Sequence, residues 1–150
     1  MKTVVQRVSR ARVTVDGEVV GEIDRGALLL VGVERGDTDA DADATARKIA
    51  ALRFFPGVTP MDETLAEVGG SCLVVSQFTL AGRVRKGNRP SFTDAAEPRE
   101  AERLYLRVVD GLRESGIPVA TGRFRTEMQV ELVNEGPVTL FVFTEGGRVV

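Results

Sequence analysis

The first thirty-odd residues constrain the fold more than any other stretch, because four Val- and Leu-rich runs follow one another before anything helical begins. Thr3 to Val8, Ala11 to Val15, Val19 to Ile23 and Ala27 to Glu34 read as strands. Branched aliphatic side chains pack well on a pleated, half-buried surface, which is why such runs favour sheet. Asp16-Gly17 is a two-residue hairpin turn, since both central positions of that turn want positive φ. Strands joined so tightly pair antiparallel.

Asp37 or Thr38 caps a helix running to about Arg53, with Ala42, Ala46, Ile49 and Ala50 on one face, and Pro56-Gly57 marks the break. A loop with Pro60 and Gly69-Gly70 leads into Ser71 to Leu80, whose apolar centre Leu73-Val74-Val75 predicts a buried strand. The second helix is the clearest element. Pro98 fits its first turn, Ala101, Leu104, Tyr105, Val108, Val109 and Leu112 keep helical spacing, and Gly116 sits at the C′ position. Met128 to Val133 and Val138 to Phe143 read as two strands separated by a turn at Asn134-Glu135-Gly136-Pro137. This order predicts a single domain over residues 1–150 of the α+β class: a curved, mostly antiparallel, barrel-like sheet with two main helices. A doubly wound parallel sheet needs more regular alternation.

Composition narrows the function. With 43% hydrophobic and 28% charged residues the chain can bury a real core. Its longest apolar stretch, Ala27 to Val33, is too short to cross a bilayer, so a soluble, cytoplasmic location is expected, with no membrane partner. Cys72 lies inside an apolar run and reads as a buried side chain. Histidine is absent, which removes Ser-His and Cys-His nucleophile systems and the commonest general base. A net charge of −2 argues against salt-driven coating of nucleic acid but leaves room for a local basic patch.

Several motifs fail on inspection. Asp37, Asp39, Asp41 and Asp43 resemble a calcium loop, yet Ala42 and Lys48 stand where that loop needs Gly and Glu. Acidic residues here suit the positive end of a helix dipole, and neither metal nor cofactor is expected. Gly82 to Gly87 has the gap of a phosphate loop, but Asn88 replaces its Lys. What remains is an exposed basic loop, Arg83, Arg85, Lys86 and Arg89, which is either ordinary charged surface or a means of placing phosphates. Ser76-Gln77-Phe78-Thr79-Leu80 lies at the end of a buried strand, where sites are often built; on composition alone it is an ordinary strand end. Neither Ser76 nor Thr79 has an evident activating base.

Together these segments resemble the bacterial and eukaryotic D-aminoacyl-tRNA deacylase family, in order and along the whole chain. The matching blocks are Val4-Val5-Gln6-Arg7-Val8-Ser9-Arg10-Ala11, Val13-Thr14-Val15 and Gly32-Val33-Glu34. They continue with Val74-Val75-Ser76-Gln77-Phe78-Thr79-Leu80, Arg85-Lys86-Gly87-Asn88-Arg89-Pro90-Ser91-Phe92 and Asn134-Glu135-Gly136-Pro137-Val138-Thr139.

The resemblance implies a homodimer whose active sites each combine the Ser76 to Leu80 segment of one subunit with Gly136-Pro137 of the other, joined by a cis bond. Two main-chain carbonyls would then exclude the side chain of an L-amino acid and admit a D-amino acid or glycine at the tRNA 3′ end. It further implies that the terminal adenosine's 2′-hydroxyl assists hydrolysis, while backbone N–H groups at Phe78 and Thr79 stabilise the oxyanion. Thr79 as a covalent nucleophile is the alternative. Gln6, Phe124 and Met128 are implied as substrate-side neighbours with Ser76 and Gln77, Arg7 as support for the Gly-Pro loop, and the basic loop as a tRNA contact. One departure stands out: Arg125-Thr126 follows Gly122-Arg123-Phe124 where family members usually carry Gly-Ala. Arg125 either crowds the pocket or adds a phosphate contact. Glu135, where Asp is usual, is a milder change. Two competing expectations are a relaxed paralogue that edits an L-amino acid through a trans Gly-Pro bond, and a non-catalytic RNA-binding module.

Overall fold

The computed structural model describes residues 1–150. The sheet is built around one long strand, β1 (Lys2–Val15), which joins two of the expected runs without a break. Asp16 at φ +48 and Gly17 at φ +78 turn the chain into β2 (Glu18–Ile23), as the Asp-Gly pair predicts. The N-terminal half of β1 pairs antiparallel with β3 (Gly26–Gly32), and its C-terminal half pairs with β2.

Helix α1 (Asp39–Ala51) follows, stopping short of Arg53. Next come β4 (Ser71–Ser76), helix α2 (Pro98–Glu114), β5 (Val119–Thr121), β6 (Gln129–Glu145) and β7 (Arg148–Val149). Gly116 takes φ +80 just past α2, the left-handed stop that its position predicts. The sheet order is β5-β4-β3-β1-β6-β7, with β2 beside β1. All pairings are antiparallel except β3–β4 and β4–β5, so the sheet is mixed at one side. It curls until β2 meets β5: a Cβ built on Gly21 would stand 2.2 Å from the Thr121 carbonyl oxygen.

Both faces of the central strands are buried, which explains their unbroken apolar runs. Leu29 and Val74 face the two helices in a core shared with Ile49, Leu104, Val108 and Leu112. Leu28 and Leu73 face the inside of the curl with Val8, Val13 and Val75. Helices α1 and α2 are clasped by ion pairs, Arg107 to Asp43 at 2.7 Å and Arg103 to Asp39 at 2.6 Å. The aspartate run that resembles a calcium loop therefore works partly as a set of helix-to-helix anchors.

Three local expectations need correction. The strand expected over Ser71 to Leu80 ends at Ser76, and Phe78–Ala81 forms a 3-10 turn instead. Asn134-Glu135-Gly136-Pro137 does not separate two strands, because β6 is continuous and both of its halves pair with β1. Gln6 faces Thr139 and Val8 faces Asn134, so Arg7 alone stands opposite Glu135, Gly136, Pro137 and Val138, and the surplus residues bulge from the sheet. Finally, β5 and β7 are strands where the sequence predicts none.

Candidate active site

The strand end is shaped by hydrogen bonds that carry the chain out of the sheet. Gln77 N–H still donates to the Val31 carbonyl at 2.8 Å, after which Leu80 N–H donates to Gln77 at 3.2 Å and Gly82 N–H to Thr79 at 2.9 Å. Gly32 lets this turn settle on β3, since a Cβ there would lie 2.7 Å from Leu80 Cβ. Phe78 and Thr79 occupy the first two positions of the turn, where backbone N–H groups have no acceptor within a helical turn. Phe78 is 56% exposed and is held edge-on by Phe92, ring centroids 5.2 Å apart. The Thr79 hydroxyl accepts from the Gln77 side-chain amide and is exposed to solvent.

A cleft of about 570 Å³ opens beside this turn. Ser76, Gln77 and Phe78 line it together with Phe124, Arg125 and Met128. The segment leading into α2 and the helix's first turn add the small residues Ala95, Ala96 and Ala101 to its lining. Phe124 stacks on Tyr105 at 6.2 Å, and the Tyr105 hydroxyl donates to the Val74 carbonyl at 3.1 Å. Burial pushes the Tyr105 phenol above its ordinary range, so it stays a donor. Gly122 keeps this wall thin, as a Cβ there would meet Met128 Sδ at 2.8 Å.

The second group of expected residues gathers elsewhere, at the bulge of β6. The Gly136–Pro137 peptide bond is cis, and Gly136 takes φ +122. Arg7, only 8% exposed, pins the bulge: its Nε donates to the Glu135 carbonyl at 3.1 Å and its Nη1 to the Phe54 carbonyl at 2.8 Å. Asn134 bridges the base of the bulge, its amide donating to the Val138 carbonyl at 3.1 Å. The Gln6 amide reaches Thr139 Oγ1 at 3.3 Å. Gly136 and Pro137 are exposed, and neither they nor Gln6 and Arg7 line the cleft of their own chain. Thus Ser76, Gln77, Phe78, Phe124 and Met128 share one cleft, Thr79 lies next to it, and Gln6, Arg7, Gly136 and Pro137 form a separate cluster.

The basic loop divides too. Arg83 is engaged by Asp94 and closes the loop's base through paired backbone bonds with Ser91. Arg85, Lys86 and Arg89 are exposed and have no carboxylate partner. Sequence reasoning passed over Tyr105 and Phe92 as site residues. Tyr105 was legible as part of the α2 stripe, but its hydroxyl contact to β4 and its stacking under Phe124 are long-range and leave no local signal.

Comparison with known proteins identifies the family and the fold. A solved chain described as c-Myc DNA Unwinding Element Binding Protein superposes with a TM-score of 0.90 at 37% identity, covering 97% of this chain and 100% of its own. Another, described as a probable eukaryotic D-amino acid tRNA deacylase, shares the fold with a TM-score of 0.78 at 18% identity, covering 93% and 97% of the two chains. Residues 4–143 match the family model for D-Tyr-tRNA(Tyr) deacylase. D-aminoacyl-tRNA deacylases from Geobacter sulfurreducens and Symbiobacterium thermophilum are 57% and 55% identical over 146 residues. Those alignments span 97% of this chain and 96% and 97% of the relatives. The chain belongs to the D-aminoacyl-tRNA deacylase family, a family of ester hydrolases.

Proposed function

We propose that the chain hydrolyses the ester joining a D-amino acid to the 3′ end of tRNA, in the cytoplasm, at a site completed by a second copy of itself. The observation that carries this reading is the division of the site residues: one cluster sits in a cleft and the other protrudes at a pinned bulge, each incomplete alone. The outer face of β6 beside the bulge exposes Phe141 at 70% and Phe143 at 37%, apolar surface that a second copy would cover. In the assembled site, the Gly136-Pro137 bulge of one subunit faces the Phe78 turn of the other. A symmetric pair makes two such sites.

In this reading, selection works by exclusion. Main-chain atoms of the Gly136-Pro137 bulge occupy the space an L side chain needs, whereas a D side chain points away from them. A site that rejects side chains by volume has nothing to reject in glycine, so glycyl-tRNA is also a substrate. Water attacks the ester carbon, the carbonyl oxygen takes the negative charge, and the carbon–oxygen bond to the ribose breaks with a proton passing to the ribose oxygen. The N–H groups of Phe78 and Thr79 are placed to hold that oxyanion. The terminal 2′-hydroxyl assists the attack, which suits a chain with no histidine. Phe124 and Met128 offer apolar surface to the terminal adenine, with Ser76 and Gln77 at the entrance.

Purified protein is expected to release D-tyrosine from D-tyrosyl-tRNA and glycine from glycyl-tRNA while sparing L-tyrosyl-tRNA. Single-turnover ester loss is the measurement. The cis Gly136–Pro137 bond speaks against the relaxed paralogue, which needs that bond trans. Equal loss from both tyrosyl esters would overturn this reading, and tRNA binding with no ester loss would replace it with the RNA-binding module.

A further inference from the structure

We infer that Arg125 holds a phosphate of the substrate's 3′-terminal nucleotides at the rim of the cleft and thereby sets how tightly the substrate binds. The inference rests on the proposed deacylase reading. Arg125 lines the cleft, at a turn running from Arg123 to Thr126. Its φ is +56, and the one other non-glycine residue with positive φ is Asp16, whose hairpin turn demands it. An arginine gains nothing from this left-handed conformation locally, since branched or long side chains are disfavoured there. Nor is the side chain repaid by a partner within the chain: it makes neither an ion pair nor a hydrogen bond.

The backbone that carries it is nevertheless fixed. The Thr126 hydroxyl donates to the Arg123 carbonyl at 2.8 Å, and neighbouring Phe124 is stacked on buried Tyr105. The result is a free guanidinium presented from a rigid turn into the mouth of the cleft. An arginine fork of this kind matches an oxyanion of fixed geometry. The chemistry of the substrate decides which anion. In an aminoacyl ester the amino acid's carboxylate is consumed by the bond and its amine is cationic, so the anions within reach belong to the nucleotide phosphates. Arg125 therefore serves the nucleic-acid side of the site, in the same cleft as the Phe78 turn.

The test compares wild type with Arg125→Gly and Arg125→Lys on D-tyrosyl-tRNA across a range of salt concentrations. Glycine is the residue best suited to φ +56, so it removes the guanidinium without disturbing the turn, and the melting temperature is expected to hold. KM is expected to rise about fivefold in Arg125→Gly, with kcat within about twofold of wild type. Losing one phosphate contact to a single strand should flatten the dependence of log(kcat/KM) on log salt by about 0.7, and Arg125→Lys should keep most of that slope. Titration with uncharged tRNA is expected to show the same loss of salt dependence, which separates this inference from the deacylase reading. If Arg125→Gly leaves KM, tRNA affinity and the salt slope unchanged, Arg125 is no phosphate contact, whatever ester the protein cleaves. If wild type releases no D-tyrosine but the binding slope still changes, the deacylase reading fails and the contact stands.

Discussion

Gly136→Ala is expected to lower kcat/KM on D-tyrosyl-tRNA by about a hundredfold while leaving a folded protein, the scale of loss that misplacing a positioning group by an ångström produces. A Cβ at this position would stand 2.8 Å from Arg7 Nη2, 2.9 Å from Val138 Cγ2 and 3.1 Å from Val138 N. At φ +122 any L side chain is also strained, so the bulge must shift whatever space its neighbours yield. The bulge is exposed and lies outside both cores, which is why the damage should fall on the site rather than on stability. Thr79→Ala serves as the comparison. It removes an exposed hydroxyl that accepts from Gln77 but leaves the backbone N–H groups of the turn in place, so its effect should be many times smaller. Steady-state kinetics on matched D and L esters reads both; equal, negligible losses would mean that the Gly136-Pro137 bulge is no part of the site.

Arg7→Ala is expected to cost both stability and activity. Its guanidinium is nearly buried and serves two main-chain carbonyls, Glu135 in the bulge and Phe54 in the loop after α1. Truncation leaves both acceptors short of a donor, at about 1–3 kcal/mol each, and deletes packing between β1 and that loop. For a chain of this size a combined loss of about 3 kcal/mol lowers Tm by roughly 6–12 °C. Arg7→Lys should fall between, because one compact ammonium cannot copy the fork that spans both carbonyls. Thermal unfolding alongside kcat/KM distinguishes the roles: the bulge should lose its activity well below the melting temperature. A variant with unchanged Tm and full activity would show that Arg7 does not hold the bulge.

Legibility followed the range of the interactions that decide each element. The Asp16-Gly17 hairpin and the α2 stripe were readable because turn chemistry and helical spacing are local signals. The end of β4 was not. Phe78 and Thr79 are good strand formers, and the turn they enter instead packs Leu80 against Gly32 on another strand. Likewise Asn134 to Pro137 carries every mark of a turn between strands. That both flanks pair with the same long β1 is information held far away in the chain, as is the single Arg7 that fills the opposite position, 128 residues from Glu135. β5 is three residues long and exists because β4 offers it a parallel edge.

The candidate site drew on both local pattern and resemblance. Ser76, Gln77 and Phe78 read on composition alone as an ordinary strand end and became candidates through the resemblance; in the structure they line a cleft with Phe124 and Met128. The candidate roles of Gly136 and Arg7 came from family resemblance alone, because composition makes the first a turn glycine and gives the second no role. Arg83, grouped with the basic loop by sequence, pairs with Asp94 at the loop's base. Arg85, Lys86 and Arg89 keep the free charge that a tRNA contact needs.

The most direct measurement of a site shared between two subunits is complementation between two crippled variants. Gly136→Ala damages the bulge, and Phe78→Pro removes one proposed oxyanion donor at a first-turn position where proline is tolerated. Each homodimer should be nearly inactive. In mixed dimers one site combines the intact turn of one subunit with the intact bulge of the other, so co-refolded protein should recover about a quarter of wild-type activity. If the mixture stays as inactive as its parents although hybrid dimers are present, the turn and the bulge do not meet across subunits.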